Sequence, residues 1–328
     1  MRLQDAALAV TGIGGFIGRR IAERASGRGM RVRGLEQSEE GAQSARRTGA
    51  EVVVGDVCDP AATRAACAGA DVVIHTAAVV KEDGPRALYD RVNVGGTEQV
   101  ARAARAAGVR RFVHLSSVMV YGFHYPPHVG EDGPLRGEGN PYCETKIESE
   151  RVVRARHAPG VFEVTVIRPG DVYGPGSIPW VVRPFDLMRA GVFVLPDGGR
   201  GLVNHVHVDN LIDALFLAIE KDASDVFTVS DGVGATCLEY FGPIARAAGR
   251  PRIRTAPAGL LRGAFKVVQA GASLLGKEAP AAPSAVDYLM RPHAYSIDKA
   301  RRELGFAPAI DFGEGMAGVC EWLKERTP

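Results

Sequence analysis

Long apolar runs are missing from this sequence. No uninterrupted stretch reaches about 18 residues, so no spanning helix is expected. Cysteine is scarce as well. Cys58, Cys67, Cys143, Cys237 and Cys320 are odd in number and widely spaced. That excludes a disulfide framework, matches no metal-ligand pattern, and leaves reduced thiols in a cytoplasmic protein as the expectation. An excess of one charge is also absent. Forty Lys and Arg against 38 Asp and Glu leave a formal net charge of +2, with the basic residues scattered. Nucleic-acid binders cluster theirs, so no nucleic-acid partner is expected. No basic segment followed by an apolar run opens the chain, and no secretory leader is expected.

What is present is enough apolar material, 46% of 328 residues, to bury a sizeable core in one large domain or a domain with a smaller lobe. Strands are expected at Ala6 to Val10, Arg31 to Leu35, Glu51 to Val54, Ala70 to His75, Arg111 to Leu115 and Val161 to Ile167. The fourth is continuous and β-branched, as a strand covered on both faces should be. Helical periodicity follows the first strand at Phe16, Ile17, Ile21 and Ala25, and returns over Thr97 to Ala107 and Tyr142 to Arg156. Strands alternating with helices imply a parallel, doubly wound α/β sheet, whose ligands bind beyond the carboxyl ends of the strands. Beyond about residue 176, prolines break the rhythm. Val203 to Val208 is expected as a strand, Asp209 to Glu220 as a helix, Val226 to Val229 as a further strand and Leu260 to Leu275 as an apolar helix. Pro280 to Pro283 reads as an Ala/Pro-rich connector.

Between the first strand and first helix lies Thr11-Gly12-Ile13-Gly14-Gly15-Phe16-Ile17-Gly18. Gly12 suits a tight turn, Gly15 a close approach of backbone to a pyrophosphate, and Gly18 the packing of helix on sheet, with the helix N-terminus favouring phosphate charge. Glu36 ends the second strand, where a carboxylate accepts hydrogen bonds from ribose hydroxyls and repels a 2′-phosphate. NAD is therefore expected over NADP; a solvated Glu36 is the alternative. Asp56 ends the third strand and reads either as an adenine contact or as a plain turn residue.

Tyr142 and Lys146 stand four apart in Tyr142-Cys143-Glu144-Thr145-Lys146, so both share one helix face. An unperturbed phenol titrates near 10 and is a poor base at neutral pH. A neighbouring ammonium and an oxidised nicotinamide both favour its phenolate. Ser117 ends the fifth strand and is placed to hold a substrate oxygen. The pair alone arises often by chance; with the glycine turn and the serine upstream it points to acid–base chemistry coupled to hydride transfer. Cys143 is read as a bystander because nothing supplies it a base. His205 and His207 lack a third ligand, so no metal site is expected.

At these residues the chain resembles the extended short-chain dehydrogenases/reductases, a group that includes NAD-dependent sugar-nucleotide epimerases and dehydratases and the 3β-hydroxysteroid dehydrogenases. The glycine turn carries the resemblance, with His75-Thr76-Ala77-Ala78, Asn93-Val94-Gly95-Gly96-Thr97, Ser116-Ser117-Val118-Met119-Val120-Tyr121-Gly122, Pro141 to Lys146, Arg168 to Gly176 and His207-Val208-Asp209-Asn210. It implies a Rossmann-type fold with a smaller C-terminal substrate lobe. Residues 1–176 would bind NAD, with 203–232 and 295–309 returning to that unit. The lobe would comprise 177–202, 233–294 and 310–328. Catalysis would rest on Ser117, Tyr142 and Lys146. The cofactor would lie against Gly12, Gly15, Phe16, Ile17, Gly18, Glu36, Asp56, Val57, Ala77, Ala78, Asn93, Ser116, Tyr142, Lys146, Pro169 and Val172. The resemblance also implies a homodimer, built on the helices after Asn93 and from Tyr142.

For the substrate, sugar-nucleotide enzymes usually carry an Arg-Asp-aromatic segment where this chain has Val203-Asn204-His205, with Arg200 three residues earlier. The run Tyr295 to Phe306 resembles the hydroxysteroid-dehydrogenase-like branch. The expectation is an NAD-dependent oxidoreductase acting on a secondary alcohol or ketone of an apolar small molecule. A sugar-nucleotide epimerase or dehydratase is the alternative, and a non-catalytic dinucleotide sensor a third reading. Leu260 to Leu275, with Lys266 and Lys277 near its polar side, reads as a packed helix of the lobe, or as a lid or membrane-surface contact for a lipid-like substrate.

Overall fold

The computed structural model describes residues 3–80, 84–274 and 283–326, the side chains of 273 and 274 apart. Leu275, Lys277 and residues 280–282 of the expected connector lie outside the described residues. Six strands follow one another as β1 (Ala7–Thr11), β2 (Arg31–Glu36), β3 (Glu51–Val54), β4 (Val72–His75), β5 (Arg111–Leu115) and β6 (Glu163–Pro169). With the edge strand Val226–Val229 they form a seven-stranded parallel sheet ordered Val226–Val229, β6, β5, β4, β1, β2, β3. The order reverses between β1 and β4, which opens a crevice at the carboxyl ends of those strands.

Alternation along the strands feeds two cores. Leu8, Val10 and Ile74 face one cluster with Ile21, Ala25, Leu211 and Leu215 from the helices Phe16–Ser26 and Val208–Glu220. Ala9 and Val73 face the other with Ala62, Ala66, Val100 and Ala104 from Pro60–Cys67 and Thr97–Ala106. A sheet buried on both faces explains why β4 lacks polar alternation.

A third cluster, including Phe185, Tyr240, Phe241, Met316 and Val319, belongs to the helices Arg183–Arg189, Cys237–Ala247 and Phe312–Glu325. Two small ladders accompany it: Arg254–Ala256 runs parallel to Val194–Pro196, and Ala235–Thr236 runs antiparallel to Leu202–Val203.

One expected strand is corrected. Val203 to Val208 is not continuous: Leu202–Val203 and His205–His207 pair with different partners, the latter parallel to Asp171–Tyr173. The break falls at Asn204, whose N–H donates to the Asp171 carboxylate at 2.7 Å and whose carbonyl accepts from the Asp171 N–H at 2.8 Å. Val208 begins the following helix instead. β4 starts at Val72, two residues later than expected. The helix Thr97–Ala106 is preceded by the wide-turned segment Asp90–Gly96, which periodicity does not reveal. Among the described residues, no helix is long and apolar enough to cross a membrane.

Candidate active site

The glycine turn leaves β1 at Gly12, whose φ of +66° suits glycine. A Cβ on Gly12 would stand 3.0 Å from the Cα of Ala77, and one on Gly18 would stand 2.2 Å from the Gly12 carbonyl oxygen. The turn is therefore pressed against the strand end carrying Ala77 and against its own helix. Gly15 caps the helix with no side-chain hydrogen bond, so the first N–H groups there remain open to an anion. The Glu36 carboxylate accepts from the Gly14 N–H at 3.1 Å and from the Ser38 N–H at 3.2 Å. It stands half-buried beside the turn. Asp56 accepts from the Cys58 N–H at 2.9 Å and pairs with Arg91 at 3.0 Å; both contacts hold its carboxyl below the usual range, the backbone bond most.

Beneath the turn lies a line of buried polar groups. His75 is flanked by the hydroxyls of Thr11 at 2.7 Å and Thr97 at 2.9 Å, and its ring stacks on His114 at 5.6 Å. Burial, with a smaller push from the Lys146 charge, lowers its pKa to about 3, so it is neutral at ordinary pH. Asn93 accepts from the Val79 N–H at 2.7 Å and donates to the Thr145 hydroxyl at 3.2 Å. It thereby fastens the strand-end segment after β4 to the helix Pro141–Arg154.

That helix starts where the sequence demands it. Asn140 accepts from the N–H groups of Tyr142 and Cys143 at 3.0 and 3.2 Å, and Pro141 occupies the first turn. One turn separates Tyr142 from Lys146. The Lys146 ammonium lies 5.9 Å from the centre of the Tyr142 ring and donates to the Leu115 carbonyl at 2.8 Å. Ser117 accepts from the Met119 N–H at 3.2 Å, and its side chain stands beside the Tyr142 phenol, which it tends to acidify. Burial pushes the phenol up to about 12, partly opposed by that serine. Burial also lowers Lys146 to about 8, against the pull of Glu150. The expected acidification of Tyr142 is thus absent from the protein's own groups: desolvation outweighs them, and the phenol is held protonated. Cys143 is buried, its thiol pushed up to about 12 by burial, which makes it inert.

Behind Lys146, Glu150 receives two hydrogen bonds from Arg168, at 2.9 and 2.7 Å, and one from the Ser116 hydroxyl. Arg168 also donates to the Tyr121 hydroxyl at 2.9 Å. Both partners of the ion pair are only 2% exposed.

A cavity of about 1230 Å³ joins these parts. Gly12, Gly15, Phe16, Ile17, Gly18, Glu36, Asp56, Val57, Ala77, Ala78, Ser116, Ser117, Tyr142, Lys146, Pro169 and Val172 all line it; Asn93 does not, and lies behind the wall. Its lining also includes the apolar and aromatic side chains of Met119, Phe123, Trp180, Phe193, Leu261 and Phe265. Sequence reasoning missed these residues, which come from separate segments with no shared period. It also missed Gly14, where a Cβ would lie 2.7 Å from the Cα of Gly41 and 2.8 Å from the Glu36 carboxylate. A fourth glycine in the motif, beside Gly12, Gly15 and Gly18, was its available signal. His205 faces Asp231 at 2.8 Å, and His207 caps the helix Val208–Glu220 by accepting from the Asp209 N–H.

A doubly wound parallel sheet, an anion-ready glycine turn at its switch point and a polar cluster opening into one cavity define a dinucleotide-dependent enzyme. The profile of the NAD dependent epimerase/dehydratase family matches residues 8–230, and the chain belongs to that family. Its cofactor is NAD, and the glycine cradle and the carboxylate of Glu36 fit that dinucleotide. The chain is 32% identical over 313 residues to 4-hydroxy-2-methyl-3-oxo-4-farnesyl-3,4-dihydroquinoline-1-oxide ketoreductase of Stigmatella aurantiaca, covering 94% of this chain and 93% of that one. It is 30% identical over 325 residues to a 3 beta-hydroxysteroid dehydrogenase/Delta 5-->4-isomerase of Mycobacterium tuberculosis, covering 91% and 85%. Among solved structures it is similar to MoeE5 in complex with UDP-glucose and NAD, with a TM-score of 0.77, 25% identity, and 98% and 100% of the two chains covered.

Proposed function

We propose that this protein is an NAD-dependent oxidoreductase that moves hydride between nicotinamide and a secondary alcohol or ketone on an apolar molecule. One observation supports the reading: Ser117, Tyr142 and Lys146 line the same cavity as the glycine turn and as Met119, Phe123, Trp180 and Phe265. NAD supplies or accepts the hydride when bound. In the reducing direction, Tyr142 gives its hydroxyl proton to the substrate oxygen, a role suited to a phenol that burial keeps protonated. Ser117 holds the same oxygen. Lys146, tied to the Leu115 carbonyl, keeps a positive charge beside the ring that loses the proton. A relative that is a ketoreductase and one that is a hydroxysteroid dehydrogenase support this choice of reaction and substrate.

The sugar-nucleotide alternative draws on the family profile and on the UDP-glucose complex of MoeE5. Against it, Val203-Asn204-His205 stand where sugar-nucleotide enzymes usually carry an Arg-Asp-aromatic segment, and the side chains of Asn204 and His205 are already engaged by the His293 carbonyl and by Asp231. Incubation with NADH and a panel of steroid and long-chain ketones, followed by the absorbance of reduced nicotinamide, tests the reading. Net consumption of NADH is expected. Conversion of a UDP-sugar with no net change in NADH would overturn it.

The division into a 1–176 cofactor unit and a discontinuous lobe belongs to the same proposal, as does a cytoplasmic homodimer. Light scattering that finds a monomer at all concentrations would remove the dimer.

A further inference from the structure

The basic residues are scattered through most of the sequence, but one stretch departs from that pattern. Residues 240–274 contain Arg246, Arg250, Arg252, Arg254, Arg262 and Lys266 and no Asp or Glu. Part of this stretch lines the cavity, through Phe241, Leu261, Phe265 and Val268. Arg254 stands opposite Val194 in the small parallel ladder and donates to the Gly191 carbonyl at 3.4 Å. Val194 lines the cavity, and so does Val192, which is 61% exposed.

The helix Ala258–Leu274 follows directly and carries two apolar rows. Leu261, Phe265 and Val268 line the cavity, and Ala258 and Leu261 pack with Val286. A second row, Leu260, Ala264, Val267 and Gly271, has the i, i+4, i+7, i+11 spacing of one helix side and is exposed. Leu260 is 67% exposed and Val267 73%. Val268 belongs to the cavity wall and is itself 44% exposed, so the rows meet at the rim. Lys266 and Arg262 lie on the polar side, and Asp287 answers Arg262 at 2.6 Å.

We propose that this face docks on an anionic phospholipid bilayer, with the cavity mouth turned toward the lipid. An exposed row that carries Leu260 and Val267 gains nothing in water, whereas an interfacial helix buries such a row among acyl chains while its Lys and Arg meet lipid phosphates and carboxylates. Charge selects the occupant. The stretch has six basic residues and no acidic one, and Asp287 answers only Arg262, so a second copy of the same face would bring like charges together. An apolar substrate would then pass from bilayer to cavity without crossing water. Docking itself does not depend on the reaction assigned above.

The test sediments the 328-residue chain with phosphatidylcholine vesicles, with and without phosphatidylserine, at low and high salt. Binding is expected to the serine-containing vesicles and to weaken with salt. Leu260→Glu with Val267→Glu is expected to lower the bound fraction by about tenfold or more while NAD affinity and the circular dichroism spectrum stay unchanged. A second variant, Arg252→Glu with Lys266→Glu, keeps the apolar row and is expected to lose the preference for phosphatidylserine. Three results would each overturn the proposal: no binding of the wild type to anionic vesicles, binding undiminished in both variants, or a wild-type dimer that Leu260→Glu with Val267→Glu converts to monomer.

Discussion

The ammonium of Lys146 sits 5.9 Å from the centre of the Tyr142 ring while its hydrogen bond goes to the carbonyl of Leu115. The lysine is therefore anchored to the end of β5 and is not bonded to the phenol. It acts on Tyr142 as a fixed charge, and its position is set by the sheet.

That charge is expected to give activity and stability opposite trends with pH. Burial lowers Lys146 from its ordinary 10.5 to about 8. Below about 8 the folded protein carries the cost of a buried cation. Between 8 and 10.5 the unfolded chain binds the extra proton, so this group's contribution to stability rises with pH. Ketone reduction should meanwhile decline as pH passes about 8 and the cation is lost. A rate profile flat to pH 10 would contradict this role.

Gly18→Ala is expected to destabilise the protein by about 1–3 kcal/mol and to weaken NAD binding. The new Cβ would lie 2.2 Å from the Gly12 carbonyl oxygen, and backbone is what must move. Urea denaturation measures the first effect and fluorescence titration the second. An alanine variant as stable as the wild type would show that the turn has slack.

Glu36 should set the choice of dinucleotide. The wild type is expected to bind NAD more tightly than NADP, and Glu36→Ala to narrow the difference by about tenfold, because a carboxylate beside a 2′-phosphate repels it. Titration with both cofactors decides; an unchanged ratio would assign the preference elsewhere.

Glu150 and Arg168 form an ion pair out of reach of water. Glu150→Gln leaves the guanidinium without its counter-charge and should cost about 3–5 kcal/mol in a denaturation curve. Adding Arg168→Met to that variant should restore part of the loss. A single variant indistinguishable from the wild type would mean that water reaches the arginine.

Much of this was legible in the sequence because local chemistry decides it. The glycine turn, the strand ends and the Tyr142–Lys146 face depend on backbone freedom and on the period of one helix, both written in neighbouring residues. The rest depends on distant partners. Val203 to Val208 has the alternation of a strand, yet Asn204 divides it by bonding to Asp171, a contact that no local pattern encodes. Arg168 closes β6 in the sequence, and only the fold reveals Glu150 across from it. The apolar and aromatic lining of the cavity is assembled from segments as far apart as Met119 and Phe265. The phenol's raised pKa was likewise hidden, since desolvation is a property of the packed site.

The most direct test of the central claim compares wild type and Tyr142→Phe in single-turnover ketone reduction at saturating NADH. Loss of the phenol proton should slow the chemical step by about 100-fold or more, while NADH affinity changes no more than a few-fold. Reduction at the wild-type rate by the phenylalanine variant would contradict the account.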